Sequence, residues 1–224
     1  VLYEDSGLSR SQQIFTDLNK HAVKTSNSIA ELYDSRDDIA VITRSVVSKV
    51  SFLNEYTDKE KDNLGKYSSN LFTLNTFYSS IKRTIKGNTP SDSTLSFLCK
   101  YWNCVASNII QWNELNKKEI SKVDLRENYI VTQGVVIQAI GQVGSYFINN
   151  LEINMYEILK GLRNIDWRRS ASIWKNRVIR ADGKILTSNK AILLTSNQIK
   201  KELGIPLLPD EELKEKRYLE SLTI

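Results

Sequence analysis

A mainly α-helical protein is expected from three features of the chain. Apolar residues recur at three- and four-residue spacing in segment after segment between Ile39 and Ile148, the period of a helix with one buried face. Capping residues precede most of those segments, and Gly87 with Pro90 stops one of them. After Gly161 the period weakens and cations accumulate. Residues 1–160 therefore read as a helical, bundle-like domain, and residues 161–224 as a small basic C-terminal subdomain with room for a short β-hairpin. A chain of 224 residues, 41% hydrophobic and 25% charged, can bury a real core.

Ser9 is placed to cap a first helix running through Gln12, Ile14, Phe15, Leu18 and Ala22, and Ser26 or Ser28 to start a short turn through Ile29, Leu32 and Tyr33. Asp37 caps a longer helix with Ile39, Ile42, Val46, Val50 and Leu53 on one face. The next spans Ser69 to Lys86, carries Leu71, Leu74, Phe77, Tyr78, Ile81 and Ile85, and stops at Gly87 with Pro90 beyond it. Ser91 caps another, whose stripe is Leu95, Leu98, Trp102, Val105, Ile109 and Trp112. Five or more helices with Phe77, Trp102 and Trp112 buried are expected.

Tyr129 to Ile148 begins with β-branched residues, so a strand competes there. Its length and its small residues, Gly134, Ala139, Gly141 and Gly144, favour a helix packed closely on its neighbours. Each glycine costs about 1 kcal/mol of helix propensity against alanine, and close packing is the natural compensation. Farther on, Arg177 to Thr187 alternates around Asp182-Gly183, a hairpin signal. Ser196 is expected to cap a helix from Asn197 to Leu203, closed by Gly204 and Pro206, and Pro209 to open a last charged one.

The charge is local. Between Gly161 and Gly204 ten cations face three acids, +7, which leaves 21 against 23, −2, for the rest of a chain of net +5. Such a concentration beside Trp167 and Trp174 suggests a polyanion partner. The candidate contacts are Arg168, Arg169, Lys175, Arg177, Arg180, Lys184, Lys190, Lys200 and Lys201, with Thr187, Ser188, Asn189, Thr195, Ser196 and Asn197 as hydrogen-bonding partners for phosphate. A helix N-terminus at Ser196 would add an anion site. Against this stands a plain solvated face with the indoles in the core.

Other chemistry is sparse. His21 is the single histidine, so histidine-rich metal sites and paired-histidine catalysis are excluded, and no glycine-rich phosphate loop is present. No catalytic residue and no cofactor is assigned. His21 reads as a helix C-terminal group satisfying carbonyls, or, with Asn19 and Lys24, as the rim of a polar pocket. Cys99 and Cys104 lie about 140° apart around one expected helix, as unreactive thiols without zinc or a mutual disulfide. No apolar run approaches the roughly 20 residues that span a bilayer, and no secretory signal opens the chain. No membrane partner is expected, and the cytoplasm is the expected compartment. With Val1 first and no initiator Met, a fragment or a trimmed chain is expected.

Four blocks resemble the DndB family, regulators of DNA phosphorothioate (sulfur) modification within the wider DGQHR-domain proteins. They are Gly7 to Ala22, GLSRSQQIFTDLNKHA; Ser28 to Asp37, SIAELYDSRD; Tyr129 to Gly144, YIVTQGVVIQAIGQVG; and Ile165-Asp166-Trp167 with Trp174, Leu194-Thr195 and Ile199-Lys200 to Pro206. The resemblance implies a DNA-binding regulator, with promoter duplex DNA and other proteins of the modification system as partners. It also implies a ParB-like N-terminal part with an Asp-Gly-Gln-His-Arg signature. That signature is missing here, and Asp182-Gly183-Lys184 does not supply it. Residues 1–24 would then be the tail of that part, with Val1 to Tyr3 as its last strand. The expected mechanism is occupancy, in which phosphate contacts hold the protein on a promoter and exclude polymerase. Two rivals are a docking component of the modification machinery and a fragment of a nucleotide-dependent DNA-acting enzyme with its active site in the N-terminal part.

Overall fold

The computed structural model describes residues 35–65 and 67–222. The helix expected from Ser9, the turn after it, the strand at Val1 to Tyr3 and the trio Asn19, His21 and Lys24 lie outside the described residues. The rest is mainly helical, as the apolar period implied.

Helix α1 (Asp38–Lys49) starts where Asp37 accepts the N–H groups of Ile39 at 2.8 Å and Ala40 at 3.2 Å. The same carboxylate accepts the Tyr78 hydroxyl at 2.7 Å, tying this cap to a helix 41 residues away. Val50 then turns extended, and α2 (Ser51–Tyr56) follows. Two two-residue strands, β1 (Thr57–Asp58) and β2 (Phe72–Thr73), pair in parallel. Helix α3 (Leu74–Thr84) is capped by Thr73. It therefore starts five residues after the expected Ser69, because residues 72–73 are drawn into the ladder with β1. Gly87, at φ +84°, ends this segment in the left-handed region that glycine adopts without strain.

Ser91 caps α4 (Asp92–Asn108) as expected. The apolar stripe beyond it does not lie on one helix. Ile109 is extended, with φ −85° and ψ 106°, and α5 (Ile110–Asn116) restarts in a new direction. A buried β-branched residue takes that conformation readily, and the break brings Trp112 onto Phe52, stacked at 4.6 Å. Helix α6 (Lys122–Asn128) leads to an extended stretch in which the Ile130 N–H donates to the Trp167 carbonyl at 3.0 Å. The pairing is a single antiparallel bridge, Tyr129 with Arg168; the chain then turns at Val131 and Thr132, and α7 (Gly134–Ile148) begins only at Gly134.

Helix α7 runs through the middle of the core, where the small residues act as expected. A Cβ at Gly141 would overlap the hydroxyl and carbonyl of Ser80, and one at Gly144 would lie 2.9 Å from the Thr84 methyl. The closeness lets α3 and α4 bond the α7 backbone. Ser80 Oγ donates to Ile137 O at 2.7 Å, Thr84 Oγ1 to Gly141 O at 2.8 Å, and Tyr101 OH to Ile140 O at 2.6 Å. Phe77, Trp102 and Trp112 are fully buried around this contact.

Helix α8 (Met155–Leu159) continues into 3-10 turns at Lys160–Asn164 and Ser172–Trp174. The Arg177–Thr187 segment makes a narrow hairpin closed by Arg180 N–H to Lys184 O at 2.9 Å, with Gly183 at φ +79° in the turn. Helix α9 spans Asn189–Glu202 and α10 spans Pro209–Glu220. The cap of α9 is Ser188, eight residues before the expected Ser196, so Ser196 sits buried mid-helix and offers no helix-end anion site. One buried cluster runs across residue 161, taking in Trp167, Trp174, Ile192 and Ile199 with the residues of α7. Among the described residues no helix is long and apolar enough to cross a membrane.

Candidate nucleic-acid interface

The nine cations expected to meet a polyanion have three different fates. Arg177 and Lys200 are buried, 4% and 3% exposed. Arg177 forms a bidentate pair with Glu215, its Nη1 reaching Oε2 at 2.9 Å, and also donates to Leu194 O at 3.0 Å. Its guanidinium lies 4.1 Å from the centroid of the Tyr218 ring. Lys200 donates to both oxygens of Glu211 at 2.7 Å, and Lys201 reaches Glu215 Oε1 at 2.7 Å from a partly exposed position. These three cations clamp α10 onto α9. Arg177 and Lys200 are out of reach of a duplex, a correction to the expected interface, because the acids of the last helix claim them.

The clamp is internally consistent. Burial alone would raise the Glu215 carboxyl; the hydrogen bonds and charges of Arg177 and Lys201 outweigh it and hold it at about 2. Asn197 Nδ2 adds a bond to the Glu211 carbonyl at 3.1 Å, and the Tyr218 hydroxyl donates to Lys175 O at 2.8 Å. Glu211 also accepts the Leu208 N–H at 2.9 Å, fixing the first turn of α10 behind Pro209.

Arg168 and Arg180 are exposed and pair with Asp166 and Asp182, each two residues away. The Arg180 hydrogen bond holds the Asp182 carboxyl at about 2. Exposed pairs of this kind are screened by solvent and contribute little, so a phosphate can displace the aspartate. Lys184 shares Asp182, at 3.9 Å, and the remaining three cations lack even that. Arg169 donates at 3.4 Å to the carbonyls of Arg126 and Gly183 and has no carboxylate within ion-pair distance among the described residues. Lys175 and Lys190 are exposed and likewise without such a pair.

The tryptophans do not stack on a ligand. Trp167 and Trp174 are buried against one another at 5.4 Å, and their indole N–H groups donate to Leu162 O at 3.1 Å and Asp166 O at 2.6 Å. They brace the loop that presents Arg168 and Arg169. Of the hydroxyl and amide residues, Thr187, Ser188 and Asn189 are exposed, whereas Thr195, Ser196 and Asn197 are buried in α9.

A second feature was not expected. Helices α3, α7, α9 and α10 enclose a groove of about 770 Å³, with Leu193, Leu194 and Leu208 among its lining residues. Six cations line it, Arg83, Lys86, Lys190, Lys200, Lys214 and Arg217, against two acids, Asp210 and Glu211, a difference of +4. Both acids are engaged, Asp210 with Lys214 at 2.6 Å and Glu211 with Lys200 at 2.7 Å. Only Lys190 and the buried Lys200 belong to the segment singled out by its charge. Arg83, in the last turn of α3 and 106 residues before Asn189, and Lys86, just after that helix, come from elsewhere, and their one sequence signal was their three-residue spacing just before the Gly87 stop.

A family model described as DndB, DNA-sulfur modification-associated, matches residues 1–206. The match ends before α10. Neither the curated proteins nor the solved structures give a match.

Proposed function

Because the chain belongs to the DndB family of DNA-sulfur modification-associated proteins, we propose that it is a DNA-binding regulator of a phosphorothioate modification system, acting in the cytoplasm at the promoter of the modification operon. The observation that supports this reading is the set of exposed Lys175 and Lys190 and half-buried Arg169, with no carboxylate within ion-pair distance among the described residues, beside Lys184, Arg168 and Arg180 in exchangeable surface pairs. Loops braced by the buried Trp167–Trp174 stack hold most of these cations in place. Fixed cations gain phosphate contacts at little ordering cost. Arginine supplies forked hydrogen bonds to phosphate and lysine supplies point charge.

Contacts of this kind position a protein on a duplex without reading its bases. Repression then follows from occupancy, since a protein held on the promoter excludes polymerase. Gel-shift titration of promoter duplex at several salt concentrations tests the reading. Four phosphate contacts correspond to a log-affinity against log-salt slope of about −3 to −4. Affinity independent of salt would contradict it.

The exposed leucines of α10, Leu213 and Leu219, with Leu208 just before them, favour a second reading, a docking component of the modification machinery. Salt-insensitive association with another protein of that system, without duplex binding, would establish it instead.

A further inference from the structure

We propose that the groove between α3, α7, α9 and α10 is a binding site for a compact phosphate ester of nucleotide size, held chiefly by Arg83 and Lys190. Three observations converge on it. The groove encloses about 770 Å³, within the range of small-molecule sites, and a concavity of that size admits a nucleotide where a convex duplex touches only the rim. Four of its cations, Arg83, Lys86, Lys190 and Arg217, have no carboxylate within ion-pair distance among the described residues, although they come from three separate parts of the chain. Arg83 is half-buried yet held only by neutral amides, its Nε donating to Gln138 Oε1 at 3.2 Å and one Nη to Asn189 Oδ1 at 2.7 Å.

Arg83 is the informative member. Burial lowers its proton affinity without any acid to compensate, so the folded protein carries a partly desolvated cation in the wall of a cavity. A structural arginine in such a position normally gains a carboxylate, as Arg177 does. Amides orient a guanidinium without neutralising it, which leaves its charge for a ligand. The planar fork suits the oxygens of a phosphate, and the neighbouring lysine adds charge. Among the described residues lining the groove none is aromatic, so they offer a base no stacking partner there. Leu193 and Leu208 offer only an apolar surface to sugar or base. Recognition therefore falls on the phosphates, with affinity rising with their number and indifferent to the base. The ester can belong to a free nucleotide or to a strand end, which share this chemistry. The groove shares Lys190 with the proposed duplex surface but includes neither Lys175 nor Lys184.

Calorimetric titration of the whole chain with inorganic phosphate, pyrophosphate, ATP, GTP and a short duplex tests it. ATP and GTP should bind alike and both more tightly than phosphate. Arg83→Gln with Lys190→Gln should weaken ATP by at least about tenfold, the loss of a charge-assisted hydrogen bond. The same variant should keep its circular dichroism and melt no lower than wild type, since like charges are being removed. Should it fail to fold, Arg217→Gln, an exposed position on α10, takes its place with a smaller loss, of about threefold or more. Lys175→Ala with Lys184→Ala should leave ATP binding unchanged, which separates this site from the duplex contact. Displacement of ATP by the duplex identifies a strand phosphate as the source, and no displacement identifies a free nucleotide. Binding of none of the probes, or equal ATP affinity in wild type and groove variants, overturns the proposal.

Discussion

Arg177 and Glu215, 38 residues apart, face each other as a bidentate ion pair with both side chains 4% exposed. The pair joins the hairpin segment to α10 and lets a charged helix pack on a buried surface. Removing one partner leaves the other charged and without its counterpart in the interior. Glu215→Gln and Arg177→Met should each lower unfolding free energy by about 3–5 kcal/mol, read by urea denaturation. A loss within about 0.5 kcal/mol in both would show the pair to be solvated.

The same pair predicts an acid limb. Glu215 titrates at about 2 in the folded protein, below its ordinary 4.5. A depressed carboxyl contributes stability that is complete above the unfolded value and is lost as pH falls through the folded one. The melting temperature should therefore fall between about pH 5 and pH 2. Glu215→Gln should start lower at neutral pH and fall less steeply. Parallel curves for the two proteins, followed by circular dichroism, would contradict the assignment.

Two glycines of α7 should behave oppositely. Gly141→Ala drives a methyl into Ser80 at the α3 contact and should destabilise by about 1–3 kcal/mol or more. At Gly134, in the first turn, the nearest side-chain atoms to a new Cβ are 3.8 Å away. Gly134→Ala should be neutral or stabilising by up to about 1 kcal/mol. Thermal melts of the two variants give the comparison, and similar losses in both would contradict the close approach at Ser80.

Both cysteines are free, and burial pushes both thiols up. In the folded protein at neutral pH, Cys104 should resist alkylation and Cys99 should react slowly, with both labelled after denaturation. Fast labelling of both in the native state would contradict this placement.

Helix existence was legible in the sequence wherever a single element decided it. Asp37 and Ser91 cap by local chemistry, and Gly141 and Gly144 signal a close approach through their missing side chains. Positions that depend on a partner were not legible. The break at Ile109 lies inside an unbroken apolar stripe, and it arises because Trp112 packs on Phe52 from another segment. Ser196 resembles a cap but is interior, since α9 starts from Ser188. Lys200 and Lys201 are neighbours with equal charge, and the acids of α10 separate their fates. The groove was hidden for the same reason. Arg83 gains meaning from Asn189 beside it, 106 residues away in sequence.

Contact of DNA with the accessible cations, and not with buried Arg177 and Lys200, is tested most directly by salt-dependent gel shifts of Arg169→Ala, Lys175→Ala and Lys184→Ala combined. The triple variant should fold, bind duplex more weakly and show a log-affinity against log-salt slope shallower by about two to three units. Wild-type affinity and slope in that triple variant would contradict it.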